Sequence, residues 1–434
     1  MNKKILKLSV PNIISNVTIP LLGIIDLALM GHLNSDVYIG AIALAGIIFN
    51  FIYWGFGFLR MSTSGFTARA YGENNFKQSI HILSRAILIA LSGGLIVILI
   101  QHPISWISFS LIEGTQEVKN LAKEYYFIRI WAAPATLSLY VFYGWFLGMQ
   151  NAKFPMIIAI AANVFNIVLS TIFVIVFKMQ VVGVALGTLI GQYLGLIVAV
   201  YLFLKKYRHL LIKIERKYIT DWQKLTEYFK VNGDIFIRTF CIIIVFTFFT
   251  SKSASIDNTI LAVNSLLLQF LMFFSFFIDG FAYAAEALVG KYIGRKSLEK
   301  LQKSVRYLFV WGIGLALLFT LIYGIGAKPI LQLLTSQQEV INAAQPFMVW
   351  VILIPIVSFS SFIWDGIYIG ATASKAMRNT LLIATFAVFL PTFFLLNPYL
   401  NNHALWLSMI LFMLTRGVVQ TFLYKKAVLP TLST

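Results

Sequence analysis

The chain has 434 residues, of which 59% are hydrophobic and only 12% charged. Soluble domains carry roughly 25% charged residues, so a soluble enzyme, a disordered chain and a coiled coil are excluded and an integral membrane protein is indicated. The formal charge of +18, from 34 Lys and Arg against 16 Asp and Glu, fits basic loops facing anionic lipid better than a nucleic-acid partner, and the single cysteine, Cys241, excludes an intramolecular disulfide.

The first residues, Met1 to Leu8, have the basic flank of a signal peptide. Pro11, Asn12 and Asn16 interrupt the apolar run behind them and no small-residue cleavage site follows, so the segment reads as a retained first membrane helix. Apolar windows of the roughly 20 residues that cross a bilayer recur about twelve times. They run over 11–31, 39–66, 80–100, 122–148, 154–177, 181–204, 232–251, 259–289, 307–327, 341–370, 381–396 and 403–424. The second, eighth and tenth are overlong, which implies tilt or a bend. An even number of spans puts both termini on one side, and that side collects about 23 Lys and Arg against about five opposite, which predicts cytoplasmic termini.

The densest basic stretch, 205–230, falls at the middle of the chain, so six helices precede it and six follow. The expected division is an N-terminal lobe over 1–208, a cytoplasmic connecting loop over 209–229 and a C-terminal lobe over 230–434. A duplication is visible in the residues: Leu147-Gly148 through Lys153 to Met156 resembles Ile369-Gly370 through Lys375 to Met377 at an offset of about 222, and Gly72 and Gly294 fall at a similar offset. Two copies with an even number of helices share one orientation, and a cleft between such lobes is the usual home of an alternating-access site. The expected architecture is all-α, with twelve transmembrane helices in two pseudo-symmetric six-helix lobes.

Ionisable groups inside a membrane are costly, so each is a functional candidate. Four acids fall in the windows: Asp26, Asp279, Glu286 and Asp365. Asp26 lies among apolar neighbours in the first helix, where Pro20 and Gly23 permit a bend. Asn163, Asn166 and Ser170 follow at spacings of three and four on the fifth helix and can share one face, either facing Asp26 or gluing helices together. Asp279 and Glu286 lie seven apart on one stripe. Asp279 sits at nearly the depth of Arg60, so the two are candidates for an inner gate. Asp365 is either part of a second cation or substrate site or pairs with Arg378 or Lys375. The five histidines have no metal-ligand spacing, and no phosphate-binding, dinucleotide or nucleophile motif is present.

The stretches Pro20 to Asp26, Gly31-His32-Leu33, Phe58-Leu59-Arg60 through Gly65 to Gly72, Asp279-Gly280 through Glu286, and Trp364-Asp365-Gly366 through Gly370 to Asn379 together resemble the DinF branch of the MATE (multidrug and toxic compound extrusion) transporters, over nearly the whole chain. The resemblance implies the MATE/MOP-type fold and an antiporter that exports cationic or amphipathic compounds in exchange for protons or sodium. The family's first-helix coupling acid carries over onto Asp26. Its fifth-helix pattern of Asn followed four residues later by Asp maps onto Asn166 and Ser170, so the second acid is missing here. The sixth-helix polar partner resembles Thr188.

The resulting expectation is a multi-pass inner-membrane antiporter, coupled to H+ rather than Na+, working as a monomer among membrane lipids. Beyond the transported ion it is expected to need no cofactor or metal. A lipid-linked saccharide or lipid flippase of the same superfamily is the alternative within transport. It should need a more cationic cleft, whereas the embedded charges read here are mainly acidic. A multispan transferase would show a His/Asp or paired-carboxylate site at a membrane boundary, and none is present.

Overall fold

The computed structural model describes the backbone of residues 1–31, 36–215, 217 and 221–432, with side chains throughout except at 19, 21, 22, 24, 26–28, 30, 31 and 36. Among the described residues every regular element is a helix. In chain order the α-helices are α1 (Asn2–Gly31), α2 (Asp36–Gly55), α3 (Phe58–Gly72), α4 (Phe76–Leu99), α5 (Gln101–Leu111), α6 (Gln116–Arg129), α7 (Ala133–Gly148), α8 (Lys153–Thr171) and α9 (Gln180–Tyr207). They continue with α10 (Trp222–Ile256), α11 (Asn258–Gly294), α12 (Leu298–Leu334), α13 (Gln338–Ala344), α14 (Met348–Gly370), α15 (Ser374–Leu382), α16 (Leu390–Leu400) and α17 (Asn402–Ala427). Among the described residues 11 stretches are long and apolar enough to cross a membrane. The 30-residue α1 brings them to the expected twelve.

The overlong windows resolve in two ways. The second breaks into α2 and α3 at Gly55-Phe56-Gly57, where the amides of Phe56 and Gly57 turn back to Tyr53 and Trp54 at 3.1 Å. The eighth stays whole as α11, 37 residues or about 55 Å at 1.5 Å per residue, well beyond the roughly 30 Å hydrocarbon core. Large apolar side chains stand exposed along these helices, among them Leu99 at 70%, Ile197 at 62% and Leu321 at 60%. Exposed large apolar side chains in such number suit a lipid-facing surface rather than a water-facing one.

Residue contacts divide the chain into two compact units, Ile14–Tyr228 and the combination of Met1–Ile13 with Phe229–Thr434. The core of the first gathers the fully buried Phe49, Tyr125, Tyr126, Trp145 and Phe146. In the second, the start of α1 packs on α11 and α12. A Cβ on Gly280 would overlap Ile13 and come within 3.0 Å of the Ser9 carbonyl, and the Trp311 indole donates to Asn2 Oδ1 at 3.2 Å.

The two units repeat the same internal construction. Gly144 of α7 lets the Arg60 carbonyl of α3 approach within what would be Cβ overlap, and Gly366 of α14 does the same for the Ala282 carbonyl of α11. Both members of each pair are 222 residues apart. Gly148 and Gly370 continue the seam one turn later, where an added Cβ would lie 2.6 Å from Thr67 Cβ and from the Glu286 carbonyl oxygen, respectively. The left-handed residues repeat as well: Asn74 (φ 57°) with Lys296 (φ 52°), and Gln150 (φ 61°) with Thr372 (φ 54°). Such residues terminate helices by turning the chain out of the ladder, so corresponding helices of the two halves, α3 with α11 and α7 with α14, end at equivalent positions.

Candidate functional site

In the first unit the polar side chains of α8 lie against a glycine ladder on α9. Gly183, Gly187, Gly191 and Gly195 recur every fourth residue, and a Cβ at Gly195 would come within 2.8 Å of Ala162 Cβ. This small-residue face lets the two backbones approach as membrane helices do. The approach brings Asn166 Nδ2 to Thr188 Oγ1 at 2.9 Å, and Ser170 Oγ to Asn166 Oδ1 at 3.4 Å. Thr188 Oγ1 in turn donates to the Val184 carbonyl at 3.0 Å. All three side chains are buried.

Asn163 departs from this group. Its Nδ2 donates to the Thr18 carbonyl of α1 at 3.3 Å, so the expected single face serves two neighbours, α1 from Asn163 and α9 from Asn166 and Ser170. The side chain of Asp26 lies outside the described residues. Its backbone belongs to α1, which runs as a helix across Pro20 and Gly23. Thr18 precedes Asp26 by eight residues, about 12 Å along a helix. A Cβ at Gly23 would meet nothing within 4 Å.

The second unit buries an ionic cluster. Asp365 of α14 is 5% exposed. Its Oδ2 accepts from Arg238 Nη2 of α10 and, at 2.7 Å, from Arg416 Nη2 of α17. Its Oδ1 accepts from Gln420 Nε2 of α17 at 2.9 Å. The expected pairing of Asp365 with Arg378 or Lys375 is therefore corrected. Arg378 Nη1 instead donates to Asp234 Oδ1 at 2.6 Å, and Ser374 Oγ to Asp234 Oδ2 at 2.8 Å, while Lys375 is exposed. The reason is register: Arg378 lies in α15, beyond the end of α14, whereas Arg238 and Arg416 reach Asp365 from neighbouring helices. Asp279 of α11 is half-buried and within electrostatic reach of Arg416. Glu286 is 1% exposed in the tight seam between α11 and α14. Arg60, on α3 of the first unit, is half-buried.

Three partners of Asp365, namely Arg238, Arg416 and Gln420, and the Arg378 partner Asp234 were not anticipated from the sequence. Arg416 carried a signal, a lone cation inside the window 403–424, and Asp234 and Arg238 stand four apart at the start of another window, as an ion-paired helix face would have them. The buried charge is of both signs: Arg85 and Arg416 are buried, as are the acids Asp234, Glu286 and Asp365, and the Arg238 side chain is only 11% exposed. At the repeat offset Asp234 maps onto Asn12, and Arg238, Asp365, Arg416 and Gln420 onto Asn16, Tyr143, Leu194 and Val198. The two halves thus share their helix seams but not their polar interiors. No group of His, Cys, Asp and Glu suited to a metal is present among the described residues.

A duplicated bundle of long apolar helices that buries polar and ionic groups defines a polytopic membrane protein. The family model MatE matches residues 11–172 and 235–395, one segment in each half of the duplication. The chain is 35% identical to the DNA damage-inducible protein F of Escherichia coli (strain K12), over 98% of this chain and 92% of that protein. It is 22% identical to the multidrug export protein MepA of Staphylococcus aureus (strain MSSA476), over 91% of this chain and 87% of that one. A crystal structure of MATE in the bent conformation superposes with a TM-score of 0.85 at 20% identity, covering 100% of this chain and 96% of the other. The chain belongs to the MatE family of transporters.

Proposed function

We propose that this transporter is a cation-coupled antiporter that exports cationic or amphipathic small molecules by alternating access, with H+ rather than Na+ as the coupling ion and Asp26 as the carrier. Its working parts are the lobes 1–208 and 230–434, joined by 209–229, with both termini cytoplasmic in the inner membrane of a bacterial cell and the monomer as the functional unit. The observation that supports Asp26 is the bond from Asn163 to the Thr18 carbonyl. It ties the polar face of α8 to α1 about two turns before the acid, so a change at one is felt at the other.

Protonation of Asp26 would remove a costly membrane charge, let α1 bend at Pro20 and Gly23 and shift the helix against α8. Asn166, Ser170 and Thr188 would hold the adjoining seam through that motion. Asp365 is a poorer carrier, since its oxygens are already engaged by two guanidinium groups and an amide. Asp279 and Glu286 complete a second acidic site, and Arg60 with Asp279 an inner gate. The gate reading requires the charge swap Arg60→Asp with Asp279→Arg to recover more transport than either single variant.

Buried Arg238 and Arg416 are the one observation favouring a flippase for lipid-linked saccharides, whose pyrophosphate needs cations. Both are turned onto Asp365, which favours the exporter. Efflux of a fluorescent cation from proteoliposomes, driven separately by pH and sodium gradients, tests the coupling. The wild type should respond to the pH gradient and Asp26→Asn should not. Undiminished gradient-driven transport in Asp26→Asn would remove Asp26 from the mechanism.

A further inference from the structure

A cavity of about 560 Å3 lies along the first half of α12, lined by Asn2, Arg306, Tyr307, Val310, Trp311 and Gly314. All six residues belong to the second unit. Arg306 is exposed and makes no ion pair with a described residue. It is the last of three exposed cations, after Lys300 and Lys303, against Glu299 alone on the same two turns. Beyond Arg306 the outward face turns apolar at helical spacing: Val310 is 60% exposed, Leu317 55% and Leu321 60%. Between them a Cβ on Gly314 would meet nothing within 4 Å, so the groove is open where the charged end gives way to the apolar stripe. Trp311 forms the other wall, fixed by its indole bond to Asn2.

The order along the helix, cation, aromatic wall, open groove and apolar stripe, is that of an amphiphile with an anionic head. From Arg306 to Leu321 is 15 residues, about 22 Å along the helix, enough to follow an acyl chain through the roughly 15 Å of one leaflet's hydrocarbon. We propose that this groove binds one anionic glycerophospholipid, with the phosphate at Arg306 and an acyl chain laid past Gly314. Charge complementarity selects the head: basic clusters beside a membrane surface attract anionic lipids, and a zwitterionic head offers Arg306 no net charge.

The test equilibrates the detergent-solubilised full chain with equal amounts of phosphatidylglycerol and phosphatidylethanolamine and reads the retained lipid by native mass spectrometry. The wild type should keep one phosphatidylglycerol several-fold in preference to phosphatidylethanolamine. Arg306→Ala should abolish the preference. Gly314→Leu should lose the bound lipid by filling the groove, while Gly324→Leu on the same helix, where a Cβ also meets nothing within 4 Å, should retain it. Equal retention of both lipids by the wild type, an unchanged preference in Arg306→Ala, or retention by Gly314→Leu equal to that of Gly324→Leu would each overturn the assignment.

Discussion

Asp365 joins three helices through one carboxylate, and its neutral isostere isolates what that charge does. In Asp365→Asn the side-chain volume is nearly kept, but Arg238 and Arg416, whose side chains are only 11% and 3% exposed, lose the anion between them. Both guanidiniums meet on the same oxygen, so their charges lie on the order of 5 Å apart, and at an effective dielectric constant of 20 their repulsion is about 3 kcal/mol. Removing one partner of a buried ion pair costs about 3–5 kcal/mol. Arg238 Nε and Arg416 Nε are already buried without a hydrogen-bond partner, so the network has little spare capacity to absorb the change.

Asp365→Asn should therefore raise the unfolding constant by roughly a hundred- to a few-thousand-fold. Arg416→Gln should be milder, because Asp365 keeps Arg238 and Gln420. The double variant Asp365→Asn with Arg416→Gln should be more stable than Asp365→Asn alone, since only one cation is then left unpaired. Unfolding titrated with SDS in mixed micelles, analysed as a double-mutant cycle, measures all three. If Asp365→Asn unfolds at the wild-type midpoint, or the second substitution gives no recovery, the carboxylate does not hold the cluster together.

Other consequences follow from the packing. Gly144→Ala and Gly366→Ala each place a methyl group on a carbonyl oxygen of the neighbouring helix and should lower the yield of folded protein sharply, whereas Gly46→Ala, where a Cβ meets nothing within 4 Å, should not. Size-exclusion profiles of the three variants separate these outcomes, and a normal profile for Gly144→Ala would show that the α3–α7 seam is looser than drawn. Asn264, 1% exposed, bonds Ser253 and Asn402 at 2.7 Å and accepts from Trp406 at 2.8 Å. Asn264→Ala strands three buried partners and should cost about 2–4 kcal/mol, seen as a lower apparent melting temperature in detergent, and an unchanged melt would mean that the partners re-pair.

Much of the fold was legible in the residues. Charge scarcity and the length of the apolar windows fix a bundle of spanning helices, because an unpaired backbone is intolerable in lipid. The repeat of Gly148 at Gly370 exposed the duplication, because only glycine admits the carbonyl contacts that hold each seam. The breaks were less legible. Nothing in the hydropathy of 39–66 says where the segment bends, since that is set by two glycines and the packing around them.

The candidate site divides along the same line. The sequence alone determined that Asn166, Ser170 and Asp365 are embedded and must find partners, because a polar group in an apolar window has no water to turn to. Which partners they find was decided only by tertiary structure. Arg238, Asp365 and Arg416 come from three helices far apart in the chain, and their meeting depends on rotation and depth that no local spacing encodes. Arg378, near Asp365 in sequence, lies past the end of its helix and pairs with Asp234 instead. Composition sets how much charge is buried, and helix packing sets which charges neutralise one another.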